Sequence, residues 1–228
     1  MLLVEDVLLL LTVDTTGKPA VDSTAMDLGL AGAVLLELAA RGHVDVAGPG
    51  EAVKPGRVVV RRPGPTGDVL LDAGLARIET DSPRKPDAVL GRLKKDLTPE
   101  VRRRLTERGI LRYEQDRVLG IFPVDRWPAP DSSHETAVRR ALHDVLVTGR
   151  TATPTEAGLV AILLAVDKVH VVLPSTGLSS RDLKARAKVV AEGSFAGEAV
   201  RKAIEAINVA IMTAVMVAAV SGGTAASS

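Results

Sequence analysis

At 228 residues, with no cysteine and a formal net charge of +1, the chain suits one large domain or two small ones. The missing cysteines exclude disulfides, thiolate zinc sites and thiol nucleophiles. An apolar share of 46% with only 2% aromatic residues means a core of Leu, Val, Ala and Ile, which favours helices meeting at close range.

The first segment, "MLLVEDVLLLLTV", is apolar but carries Glu5 and Asp6 and has neither a basic leader nor a cleavage site. It reads as a first helix of a cytoplasmic protein and not as a secretion signal. A second helical run contains "GLAG" at Gly29 to Gly32. With no strand before it, this is a place where a neighbour packs closely and not a dinucleotide loop. That helix ends in "ELAARG", and "HVDV" then pairs with "RVVVRR" as a small hairpin. Asp68, after "PTG", caps a helix "VLLDAGLARI", where its charge suits the N-terminus.

Thr98 and Pro99 open a short helix that Gly109 ends. A second hairpin follows, "ILRYE" with "VLGIFPV" across Gln115, Asp116 and Arg117. Three of the four aromatic residues, Tyr113, Phe122 and Trp127, lie between positions 109 and 127. The strand "VLGIFPV" alternates, with Phe122 on one face and Leu119 and Ile121 on the other, so both faces are apolar. Either both sides are covered within the fold, or one meets another subunit or a lipid surface. Trp127 suits a site apolar at one end and wet at the other.

Two capping boxes come next, Ser132 to Glu135 and Thr153 to Glu156, the second with Pro at the first helical position. The run 209–220 is unbroken apolar sequence. It falls short of the roughly 20 residues of a membrane span, so it is expected as a core helix buried on all sides. The tail 221–228 is expected to be loose, leaving 1–220 as a single domain.

Charge is uneven. Before Gly56 acids outnumber the three bases Lys18, Arg41 and Lys54, whereas from Arg84 to Arg117 eleven bases face six acids. Such a block attracts phosphate. A winged-helix nucleic-acid binder is the weaker reading, because the helix before each hairpin makes a poor recognition helix and stacking aromatics are scarce. The four histidines stand apart, and there is no HExxH, no GxSxG elbow and no P-loop. No catalytic residue, cofactor or metal site is assigned, and the chain is expected not to be an enzyme.

"STAMDLGLAGAVLLELAARGHVDV", "PGPTGDVLLDAGLARIE", "LTERGIL" and "PVDRWP" together resemble the Golgi phosphoprotein 3 family, in order from about residue 3 to about 220. The resemblance implies a mainly α, single-domain helical bundle with an apolar central helix and one or two small β-hairpins. It implies a peripheral membrane protein that binds phosphatidylinositol 4-phosphate through a basic pocket, holds protein partners by their tails and self-associates through the hairpin. At the family's pocket positions this chain has Asp22 for a Trp, Ala31 for an Arg, and Lys95 and Thr98 for two arginines. Only Lys95 keeps the charge. The expected head-group site is therefore the neighbouring set Lys94, Lys95, Arg102 and Arg103 around one helix start. The expected self-association surface is Tyr113, Leu119, Ile121, Phe122 and Trp127. The expected partners are an anionic phospholipid or phosphoinositide, a possible protein partner and a second copy of the chain. The alternative is a soluble protein-interaction adaptor that has lost lipid selectivity.

Overall fold

The computed structural model describes residues 1–80, 82–118, 122–193 and 202–213, with 117, 118, 122 and 123 by backbone alone. In chain order the elements are α1 (Leu3–Leu10), β1 (Thr12–Val13), β2 (Lys18–Pro19), α2 (Ser23–Ala40), β3 (Val44–Val46), β4 (Val58–Val60), α3 (Val69–Glu79), α4 (Pro86–Leu93) and α5 (Leu97–Glu107). They continue with β5 (Glu114–Val118), β6 (Phe122–Arg126), α6 (Ser133–His143), α7 (Pro154–Ala165), α8 (Val169–Val172) and α9 (Ser180–Glu192). A last helix, α10, covers 202–213. Each pair of consecutive strands forms its own antiparallel hairpin, so the fold is mainly α, with one more hairpin (β1–β2) than the sequence suggests.

The centre is α2. It packs against α1, α3, α4, α5 and α7, and its side chains from Leu28 to Leu36 are buried throughout. By length and composition it is the one described helix apolar enough to cross a membrane, yet most of it is enclosed by its neighbours. A helix apolar on all sides is the core of such a bundle. The "GLAG" segment lies inside it. A Cβ on Gly32 would stand only 3.0 Å from Ile207 of α10, so the missing side chain lets the two helices cross closely.

Local signals explain most of the boundaries. Asp22 accepts the Ala25 N–H at 2.9 Å and Asp68 the Leu70 N–H at 2.9 Å, each capping its helix. Thr153 and Glu156 form the expected capping box before α7. Both "RG" stops work alike: Gly42 and Gly109 take φ of 73° and 69°. The next residues, His43 and Ile110, donate back to Leu38 and Leu105, each at 2.9 Å.

Four expectations are corrected. The box at Ser132 to Glu135 does not form: Ser132 makes no side-chain cap, Asp131 takes the Ser133 N–H instead, and Glu135 turns inward. Helix α5 starts at Leu97 after a left-handed Asp96 (φ 57°), because Thr98 is drawn to Asp27 of α2 with Oγ1 to Oδ1 at 2.6 Å. The second hairpin pairs Gln115 with Asp125 and Arg117 with Pro123, so those residues belong to strand β5 and not to the turn. Its base sets this register: Arg112 N–H bonds the Pro128 carbonyl at 2.9 Å and Tyr113 Oη donates to Asp125 at 2.8 Å. Finally, α10 buries Ile204, Ile207 and Ile211 but exposes Val209 and Met212, so its described part is one-sided. The rest of the apolar run, the tail, Leu119 and Ile121 lie outside the described residues.

Candidate functional site

The three successive arginines of α5 do not form a patch. Consecutive residues on a helix point about 100° apart, so Arg102, Arg103 and Arg104 leave it in three directions. Arg104 turns inward, its Nε donating to Glu5 at 2.8 Å and its terminal nitrogens to both oxygens of Asp68. Arg108, one turn on, reaches Glu5 at 2.6 Å. Glu5 has no exposed surface. Burial pushes its carboxyl up, but the Leu2 N–H, Arg108 and Arg104 outweigh that and hold it below the ordinary value. Arg103 stays on the surface between Glu100 and Glu107, and these two carboxylates raise its pKa. Two of the three charges are thus matched by carboxylates of the same fold.

Arg102 takes the third direction, under the hairpin base. Its guanidinium sits 3.9 Å from the centroid of the Trp127 ring, a cation–π contact, and burial there pulls its pKa down. Tyr113 lies 5.7 Å from Trp127, tilted 48°. Around these side chains opens a cleft of about 590 Å³ lined by Pro99, Arg102, Arg103, Thr106, Glu107, Tyr113, Asp125 and Trp127. The fold therefore brings together Arg102, Arg103, Tyr113 and Trp127 from the sequence-predicted sets. Trp127 also packs against the hydrophobic core, and its backbone N–H bonds the Gly17 carbonyl at 3.0 Å. A Cβ on Gly17 would overlap the backbone of Trp127 and Pro128 at 2.5 Å, so only glycine lets the β1–β2 turn dock there.

Lys94 and Lys95 lie at the C-terminal end of α4, both exposed. The Lys95 carbonyl accepts from Arg77 at 2.7 Å, which fixes the backbone of the α4–α5 corner. The side chain of Phe122 is not described, although its backbone pairs with Val118 in the hairpin.

The positions that the resemblance assigns to a phosphoinositide pocket have other work. Asp22 is the N-cap of α2, Ala31 is fully buried, and Thr98 holds Asp27. Sequence reasoning missed Asp27, Glu5 and Asp68 as partners of the basic segment. The one signal that could have found part of this is the helical period itself, since "RRR" inside a helix has to fan out. Among the described residues no group of three or more His, Asp or Glu is spaced to hold a metal ion.

The family model of Golgi phosphoprotein 3 (GPP34) matches residues 3–207. That span covers nearly the whole helical body, from α1 into α10. It fits a lipid-binding peripheral protein at the level of the family. The chain belongs to the Golgi phosphoprotein 3 (GPP34) family.

Proposed function

We propose that this protein is a non-enzymatic, cytoplasmic peripheral membrane protein that contacts anionic lipid head groups through the α4–α5 corner and the hairpin base. The observation that carries the reading is the pair Lys94 and Lys95, both exposed at the end of α4, with Arg102 on the next helix beneath Trp127. Lysine near an anionic membrane contributes about 1 kcal/mol per charge, an attraction that falls with salt. Trp127 and Tyr113 supply the amphipathic rings that sit at a head-group boundary. Arg103 takes part through whatever charge Glu100 and Glu107 leave uncompensated, which makes it the weakest of the four bases. Head-group selection is loose in this reading, because Asp22, Ala31 and Thr98 serve the fold. The hairpin, with Tyr113, Leu119, Ile121, Phe122 and Trp127, is assigned to self-association.

Flotation with phosphatidylserine vesicles, with and without phosphatidylinositol 4-phosphate, at low and high salt is the test. Recovery that falls with salt and with Lys94→Glu plus Lys95→Glu supports the reading. No recovery on any anionic vesicle ends it. The second reading, a soluble protein-interaction adaptor that has lost lipid selectivity, is favoured by the closed Thr98–Asp27 contact at the family's pocket position. Co-purification of one partner without any vesicle recovery would select it.

A further inference from the structure

The inward turn of Glu135 has a consequence at the other side of α6. Glu135 is only 3% exposed, and both guanidinium contacts from Arg139 go to its Oε1. Against the same Arg139 nitrogen lies Asp14, in the turn between β1 and β2, whose buried Oδ1 has no hydrogen-bond donor among the described residues. Arg139 is 3.8 Å from that oxygen, too far for a hydrogen bond. Its other branch donates to the Val172 carbonyl of α8. Two carboxyl groups therefore share one guanidinium, Glu135 buried and Asp14 with its Oδ1 enclosed and the rest of its side chain partly exposed. One positive charge balances one negative charge, and of the two carboxyls the buried Glu135 is the costlier to leave ionised.

We propose that Glu135 keeps its proton and donates it to Asp14 Oδ1, forming an acid–carboxylate latch that ties the β1–β2 turn to α6 and opens when Glu135 ionises. The proton satisfies the orphan oxygen and leaves the site neutral with Arg139. Burial, then the Asp14 carboxylate, push the Glu135 carboxyl up to about 8, while Arg139 opposes them. The acids on the helices packed against α6 have partners of their own. Asp6 of α1 is paired with His134 at 2.7 Å, Glu5 is held by Arg104 and Arg108, and Glu156, the one acid of α7, is held by Arg150. On the π-helical turn after α6, Asp144 lies 3.9 Å from His143.

The latch reaches the hairpin. The turn that carries Asp14 also carries Gly17, whose carbonyl holds the backbone N–H of Trp127, and Gly17 N–H in turn bonds the Val13 carbonyl at 2.7 Å. When Glu135 ionises, it repels Asp14 and loosens that turn, and the grip on Trp127 weakens. The sign follows from a raised folded-state pKa on an acid. The protonated group favours the fold fully below its unfolded value of 4.5, and that contribution is lost as pH rises to about 8.

Trp127 is the single tryptophan, so its emission reads the latch directly in lipid-free solution, apart from any outcome of the vesicle experiment. Emission followed from pH 6.5 to 9.5 is expected to shift with a midpoint near 8 in the native protein. In Glu135→Gln, whose amide still donates to Asp14, the shift is expected to disappear. In Asp14→Asn the midpoint is expected to fall by one pH unit or more, because the repelling carboxylate is gone. Flat emission in the native protein, or the same transition in Glu135→Gln, overturns the proposal. Circular dichroism of both variants at pH 7 confirms that the comparison is between folded proteins.

Discussion

The basic segment divides into two regions that look alike in sequence and behave differently in the fold. On α5, Arg104 and Arg108 converge on a carboxylate with no exposed surface, and Arg102 lies under a tryptophan ring. At the end of α4, Lys94 and Lys95 stand in solvent. The difference teaches that a count of positive residues is not a surface charge. Arginine's planar fork suits buried pairing and stacking, whereas lysine's ammonium stays hydrated on a flexible stem. One region contributes to holding the body together, and the other remains available to a partner.

Three stability variants sharpen that contrast, from the largest effect to the smallest. Arg104→Ala leaves Glu5 with one arginine and Asp68 with none. Breaking a buried pair costs about 3 to 5 kcal/mol, and the partial exposure of Arg104 and the remaining Arg108 reduce this to about 2 to 3 kcal/mol. Urea unfolding reads it as a lower midpoint with unchanged slope. Arg102→Ala removes the contact beneath Trp127 and costs about 1 to 2 kcal/mol, with a red-shifted tryptophan emission as its signature. Arg103→Ala leaves the urea midpoint where it was, since its two exposed pairs are of the kind that rarely add measurable stability. A large loss in Arg103→Ala, or none in Arg104→Ala, would erase the distinction between the regions.

Acid titration separates them further. The Glu5 carboxyl sits below its ordinary value in the fold, so its stabilisation is complete above the unfolded value of 4.5 and is lost as pH falls through the folded one. Glu5→Gln is expected to flatten the stability curve below pH 4.5 and to lower stability at pH 7, where Arg104 and Arg108 lose their partner. Thermal melts from pH 3 to 7 check both halves.

Much of this body was legible in the chain. Asp68 and Thr153 signal helix starts by local chemistry, and Gly42 and Gly109 signal stops, because a cap needs only its own few neighbours. The close crossing at Gly32 was also readable, since small residues inside an apolar helix mark a near neighbour. What stayed hidden depends on partners distant in sequence. The inward turn of Glu135 places it with Arg139 against Asp14 of the β1–β2 turn. The register of β5 and β6 is set at the base by Arg112, Tyr113 and Asp125, and no alternation of apolar residues within either strand specifies it. The inward turn of Arg104 follows from Glu5, near the start of the chain.

The most direct measurement is flotation of the native protein and of Lys94→Glu/Lys95→Glu on phosphatidylserine vesicles at low and high salt. The account predicts that the native protein is recovered at low salt and much less at high salt, and that the variant, with an unchanged urea midpoint, stays in the soluble fraction. Equal recovery of the two proteins, or recovery indifferent to salt, would contradict it.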